Sequence, residues 1–247
     1  MRSTAMMGSD MYESELRLGL SPGSGWRGSR RRWLAQCTAL AVVVAAGLGN
    51  TLAQGAATRR VVLVVGDSLS AEYGLKRGSG WVALLEHRLA QSKIAATVVN
   101  ASISGDTTAG GRSRLPALLR QHRPTHLILE LGANDALRGL PLEQTRSNLA
   151  QMVRESKAAG AAVLITGMQI PPNYGRKYGE SFASLFASVA SAEAVALVPF
   201  LLKGVADGPN AEALFQRDRI HPVEAAQPLM LDNVWPVLQP LLRVSTR

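Results

Sequence analysis

Cysteine is all but missing from this chain of 247 residues: the single one, Cys37, lies in an apolar stretch near the N-terminus. Beyond that stretch there is no thiol, which excludes a cysteine nucleophile, a disulfide framework and a cysteine metal site. It also suits an oxidising compartment, where a stray thiol is a liability. Aromatic residues are scarce at 5%, and only four histidines are present. The net charge of +9 is not gathered into a stripe, since part of it sits in "RGSRRRW" and the rest is scattered singly. Nucleic-acid binding needs basic residues collected on one face, so no nucleic-acid partner is expected. The one G-x-S-x-G match, "GLSPG" at 19–23, follows no strand pattern and carries a proline, so it is set aside.

What is present begins with a targeting pattern. Arg30, Arg31 and Arg32 precede "WLAQCTALAVVVAAGLG", and "NTLAQGAA" supplies small residues for cleavage. The apolar core is shorter than the ~20 residues of a spanning helix. The expectation is a lead and signal peptide over residues 1–57, cut after Ala53, with an uncleaved anchor as the alternative. "LAQC" is not read as a lipoprotein site, because the apolar run follows the cysteine. Residues 58–247 then form one domain, exported to the periplasm or secreted.

Within that domain five continuous apolar runs alternate with helical patterns. The runs are "RVVLVV" (60–65), "ATVVNA" (96–101), "HLILEL" (126–131), "AVLITGM" (162–168) and "VALVPF" (195–200). Such runs read as strands buried on both faces. Helical patterns cover 80–92, 110–122, 141–160, 175–194 and 222–244, the second kinked by Pro116 or starting later. This alternation predicts an α/β fold with three layers and a flavodoxin-like five-stranded parallel sheet, in the order 2-1-3-4-5. Ligands bind such sheets outside the carboxyl ends of the strands, where the order switches. The loops "GDSLS", "SISGDTT" and "GAND" are therefore expected to converge on one crevice.

Each loop offers a different chemical group. Ser68 follows strand 1. Gly105 lies in a turn whose backbone can approach a ligand closely. Asn134 carries a donor amide. Neighbouring strands are ~4.8 Å apart, so the N–H groups of Ser68 and Gly105 and the Asn134 amide can face one developing negative charge, forming an oxyanion hole. A serine needs a base to act as a nucleophile. His87 and His122 read as surface or capping residues, and His126 opens a strand. His221 stands in "DRIHP", three residues after Asp218. Asp218 can hold its Nδ1–H and leave Nε2 facing Ser68; alone, the motif fits a turn cap equally well. Asp67 and Asp135 suggest a hard-metal site as a rival, but a loop-acceptor role for Asp67 is the simpler reading, and no metal is expected.

Taken together, "GDSLSAEYG", "NASISGDTTAGG", "LELGANDALRGL" and "DRIHP" resemble the four signature blocks of the SGNH (GDSL) hydrolases. Within that family the chain resembles the bacterial periplasmic enzymes with thioesterase, arylesterase and lysophospholipase activity. The similarity extends over nearly all of residues 60–242. It implies Ser68 as nucleophile, Asp218 and His221 as the rest of a triad, and Ser68, Gly105 and Asn134 as oxyanion donors. It departs from the family pattern at Ala133 and Arg219, where glycine is common. The implied activity is hydrolysis of acyl esters and thioesters through an acyl-enzyme, with no cofactor. Leu69, Leu137, Leu140, Ile170, Pro171 and Pro172 are the candidates for contacting the acyl chain. A monomer acting on small-molecule substrates, with at most transient lipid contact, is expected. The alternatives are a carbohydrate O-deacetylase of the same family, disfavoured by the scarcity of aromatics, and a non-catalytic flavodoxin-like binding module.

Overall fold

A computed structural model describes residues 60–243. The expected signal segment, the cut after Ala53 and the boundary at residue 57 lie outside them. The strands are β1 (Arg60–Gly66), β2 (Ala96–Asn100), β3 (His126–Glu130), β4 (Ala162–Thr166) and β5 (Ala196–Val198). All pair in parallel, in the order β2-β1-β3-β4-β5, so the expected order is the one observed. β1, β3 and β4 are buried nearly throughout. The outer strands differ from the expectation of burial on both faces. β2 is half-buried and ends in exposed Asn100, and β5 is only three residues long. An edge strand has a neighbour on one side only, and Pro199 removes the next donor from β5.

The helices are α1 (Trp81–Gln91), α2 (Thr108–His122), α3 (Ala133–Leu137), α4 (Leu142–Ala158), α5 (Arg176–Ala192) and α6 (Gln227–Arg243). α1 packs against α6 on one face of the sheet, and α2, α4 and α5 pack in sequence on the other. The fold is thus the three-layer α/β/α arrangement. Trp81, Leu85, Leu149, Phe182 and Phe186 are fully buried between sheet and helices, and Phe182 meets Phe186 edge-on at 5.1 Å. Three boundaries were not foreseen. α2 starts at Thr108, earlier than expected, with the Thr107 side chain capping Gly110 N–H, and it runs through Pro116. α3 is a short helix where a plain loop was expected. Pro222 does not open the last helix: a 3-10 turn at Glu224–Ala226 precedes α6.

His126 is a buried structural histidine. Its Nδ1 meets Thr125 Oγ1 at 2.8 Å and its Nε2 meets the Leu241 carbonyl at 3.1 Å. Burial holds its pKa below the ordinary value. These contacts tie the start of β3 to the end of α6.

Candidate active site

The carboxyl end of β1 runs into a tight turn. A Cβ at Gly66 would stand 2.6 Å from Glu130 Oε2 and 2.8 Å from Ser70 Oγ, so only glycine lets the backbone pass. Asp67 then folds the turn over itself: its Oδ1 accepts from Leu69 N–H at 3.0 Å and its carbonyl accepts from Ala71 N–H at 2.9 Å. Ser68 is left at the apex, half-buried, and among the described residues its N–H has no acceptor.

The last loop reaches Ser68 across 153 positions. His221 Nε2 lies 2.9 Å from Ser68 Oγ, and His221 Nδ1 lies 2.7 Å from Asp218 Oδ2. Asp218 also caps its own turn, with Oδ1 accepting from the N–H groups of Ile220 and His221 at 2.9 and 3.0 Å. The two readings of "DRIHP" are therefore compatible, one oxygen for each task. Desolvation pushes Asp218 up, but the hydrogen bonds from His221 and Ile220 outweigh it and bring its pKa down to about 2. It is a carboxylate at any neutral pH. The ring of Tyr73 lies against the imidazole with centroids 4.3 Å apart, a contact that sequence reasoning missed because Tyr73 only looks like a turn residue.

Asn134 sits in the first turn of α3, after Gly132, whose φ of 124° suits glycine. Its Nδ2 donates to Asp67 Oδ2 at 3.0 Å, one of the two N–H bonds that amide can offer. Gly105 has φ of 77°; among the described residues its N–H has no acceptor, and its carbonyl accepts from Arg138 Nη2 at 2.7 Å. Asp135, buried beside Asn134, accepts from Thr108 N–H and Thr108 Oγ1 at 2.8 and 2.5 Å. Both acids of the rival metal reading are thus occupied by internal donors.

A cavity of about 450 Å³ opens beside Ser68 and His221. Of the residues expected to contact an acyl chain, Leu69, Leu137, Ile170, Pro171 and Pro172 line it. Leu140 does not: it is 38% exposed in the turn after α3, where its N–H donates to Asp135 O at 2.9 Å. Met168, Phe200, Leu202 and Phe215 complete the apolar wall, and none had been singled out. Phe200 and Leu202 follow β5 at the same carboxyl edge, which was the available signal. Arg219, at the rim, holds φ of 57° and pairs with exposed Glu212 at 3.1 Å.

Behind the turn lie two buried carboxyls. Glu130, the last residue of β3, accepts on Oε2 from Ser70 Oγ at 2.7 Å and from Asp67 N–H at 3.2 Å. Burial, reinforced by the neighbouring Asp67 charge, lifts the Glu130 pKa well above the carboxylate range. Burial pushes Asp67 up to about 6, against the pull of the Leu69 N–H, Glu130, His221 and Asn134. Sequence reasoning passed over Glu130, although a lone acid in the buried run "HLILEL" was a visible signal.

Residues 64–227 match the GDSL-like Lipase/Acylhydrolase family. The chain is 50% identical over 202 residues to Esterase TesA of Pseudomonas aeruginosa, covering 82% of this chain and 99% of the relative. It is 44% identical over 187 residues to Thioesterase 1/protease 1/lysophospholipase L1 of Escherichia coli, covering 76% and 87%. The crystal structure of psychrotrophic esterase EstA from a Pseudoalteromonas species, inhibited by monoethylphosphonate, superposes with a TM-score of 0.70 at 39% identity, covering 75% of this chain and 100% of that one.

Proposed function

Because this chain belongs to the GDSL-like lipase/acylhydrolase family and is an ester hydrolase with it, we propose that it cleaves acyl esters and thioesters through a Ser68–His221–Asp218 triad and an acyl-enzyme. The supporting observation is the hydrogen-bonded line from Asp218 through His221 to Ser68, 2.7 and 2.9 Å at its two links.

In the proposed reaction His221 Nε2 takes the Ser68 hydroxyl proton as Oγ attacks the carbonyl carbon. The carbonyl π pair moves onto oxygen, where the N–H groups of Ser68 and Gly105 and the free N–H of Asn134 receive it. Asp218 stabilises the imidazolium and keeps its proton on Nδ1. When the intermediate collapses, the alcohol or thiol leaves with the proton from Nε2. A water then repeats the sequence on the acyl-enzyme and releases the acid. The apolar wall around Leu69, Leu137, Ile170 and Pro171 takes the acyl chain, and a volume of about 450 Å³ lies within the usual range for small-ligand sites. The Escherichia coli relative is named a thioesterase, protease and lysophospholipase and a Vibrio mimicus relative, 42% identical over 173 residues, an arylesterase, which supports aryl esters, acyl thioesters and lysophospholipids as the substrate types. The chain works as an exported monomer after removal of its leader, touching lipid only in passing.

Ser68→Ala tests the assignment. The variant is expected to keep the wild-type circular dichroism and melting temperature, to lose turnover of an aryl ester and of an acyl thioester, and to resist labelling by a fluorophosphonate. Normal turnover by the variant would overturn it.

A further inference from the structure

Among the described residues, no cation is paired with the two carboxyls behind Ser68. Register puts Gly66 opposite Glu130, which brings the turn after β1 onto the end of β3. Asp67 is 1% exposed and Glu130 2%, and the Asp67 N–H donates to Glu130 Oε2 at 3.2 Å, so the two carboxyls share one buried pocket. Two carboxylates buried side by side with no cation between them repel each other, so one group must carry a proton. The donors around the pair decide which. Asp67 receives two, Leu69 N–H on Oδ1 and Asn134 Nδ2 on Oδ2, and His221 faces it as a third favourable influence. Glu130 receives Ser70 Oγ and Asp67 N–H on one and the same oxygen, as a carbonyl oxygen of a neutral acid would. Arg114, whose guanidinium donates to the Gly66 carbonyl at 3.4 Å, is taken up by Asp106.

We infer that Glu130 is a positioning residue acting as a neutral acid: it donates its proton to the Asp67 carboxylate, which in turn aims the Asn134 amide at the developing oxyanion. This role rests on the proposed hydrolysis. Asp67 spends one Asn134 N–H and thereby fixes the direction of the other. Its grip is charge-assisted, and so stronger than a neutral bond, only while Asp67 is ionised. Glu130 keeps it ionised, because a donor to the charged form favours that form. Burial, the largest influence on both groups, pushes each toward protonation; it raises Glu130 further than Asp67, which titrates at about 6.

The test compares Glu130→Leu and Glu130→Gln in the full chain, with a neutral short-chain aryl ester as probe. Leucine removes the donor. The expected result is a kcat lowered about 10- to 100-fold, part of the loss known for a whole oxyanion donor, with KM within about 3-fold and the acid limb of the kcat profile moved to higher pH. Glutamine can donate from its amide nitrogen to Asp67 and accept on its oxygen, so it restores most of that rate and the original acid limb. Infrared spectra of the wild type at mildly alkaline pH are expected to hold a protonated-carboxyl band that Glu130→Gln removes. Glutamine as damaging as leucine, an unaltered kcat in Glu130→Leu, or no such band would overturn the inference. Should the leucine variant fail to fold, the glutamine variant and the infrared band still decide. If the wild type turns over no ester, the proposed function falls and the positioning role with it, while the band still reports whether Glu130 holds the proton.

Discussion

Replacing Asp67 by asparagine should make the protein more stable at neutral pH and a poorer catalyst. Burial raises the Asp67 pKa from 3.8 to about 6. Between those values the folded state holds a proton that the unfolded state has released, so stability falls as pH rises through the window. Above it the whole penalty is present, and a rise of that size corresponds to ~3 kcal/mol. Asparagine does not titrate. Loss of the Asp67 charge also eases the Glu130 pKa downward, a change of the same sign. The difference in unfolding free energy, variant minus wild type, is therefore expected to grow by ~2–3 kcal/mol from about pH 4 to about pH 7. A constant offset from the exchanged hydrogen bonds does not alter that slope. Urea titrations of both proteins across this range measure it. Turnover at the alkaline end should move the opposite way, because Asn134 loses its charged anchor. Parallel stability curves, or a wild type that gains on the variant as pH rises, would refute the reasoning.

Four further outcomes follow from the same geometry. Asn134→Ala is expected to lower kcat by ~10²–10³ with a smaller change in KM, as for loss of an oxyanion donor; steady-state kinetics on an aryl ester decide it. Gly66→Ala drives a methyl to 2.6 Å from Glu130 Oε2 and 2.9 Å from Ser70 Cβ, so a stability loss of ~1–3 kcal/mol and reduced turnover are expected in thermal melts and assays. Arg219→Gly relieves a left-handed backbone that costs an L-residue ~1 kcal/mol and gives up an exposed pair with Glu212 worth ~0–1 kcal/mol; stability should hold or rise slightly, and a loss beyond ~1 kcal/mol would count against this. A chelator should leave the rate unchanged, because Asp67 and Asp135 are filled by internal donors, and inhibition reversed by added metal would revive the rival reading.

The sheet was legible because its central strands carry no polar face to hide. "RVVLVV" is buried from Val62 onward and "HLILEL" throughout, and such runs belong to strands covered on both sides. The edges were less so: "ATVVNA" reads as another apolar run, yet it lies at an edge and is half-exposed, and a local pattern does not say which strand is last in line. Asn134 was picked for its chemistry, but the helix under it was not foreseen, because five residues are too few for a helical period. That helix is why Leu140 misses the cavity while Leu137 reaches it. Phe200, Leu202 and Phe215 look like any core residue in sequence, and only the folded chain separates a cavity wall from a core. Glu130 was visible as an oddity, but its partner is fixed by strand register, which no local pattern encodes.

Each of the three groups assigned to the oxyanion sits next to an aspartate in the chain, and those aspartates join the loops in a closed circuit. Asp67, before Ser68, holds Asn134. Asp135, after Asn134, holds the first residue of α2, Thr108. Asp106, after Gly105, holds Arg114, whose guanidinium donates back to the carbonyls of Ala101 and Gly66. The loop after β1 thus fixes the loop after β3, which fixes the loop after β2, which returns to β1. Donors oriented before the substrate arrives need no reorganisation as charge develops, which is where most of their catalytic benefit comes from. Side chains at loop tips hold such directions only when a supporting shell locks them. Three short carboxylates, each next in the chain to one oxyanion group and bonded to another part of the site, meet that need with little side-chain entropy to lose. They also explain how a basic chain keeps acids at the one place where negative charge must form: Asp67 and Asp135 are buried and each accepts from a donor on a neighbouring loop or helix, while Asp106 is held by Arg114.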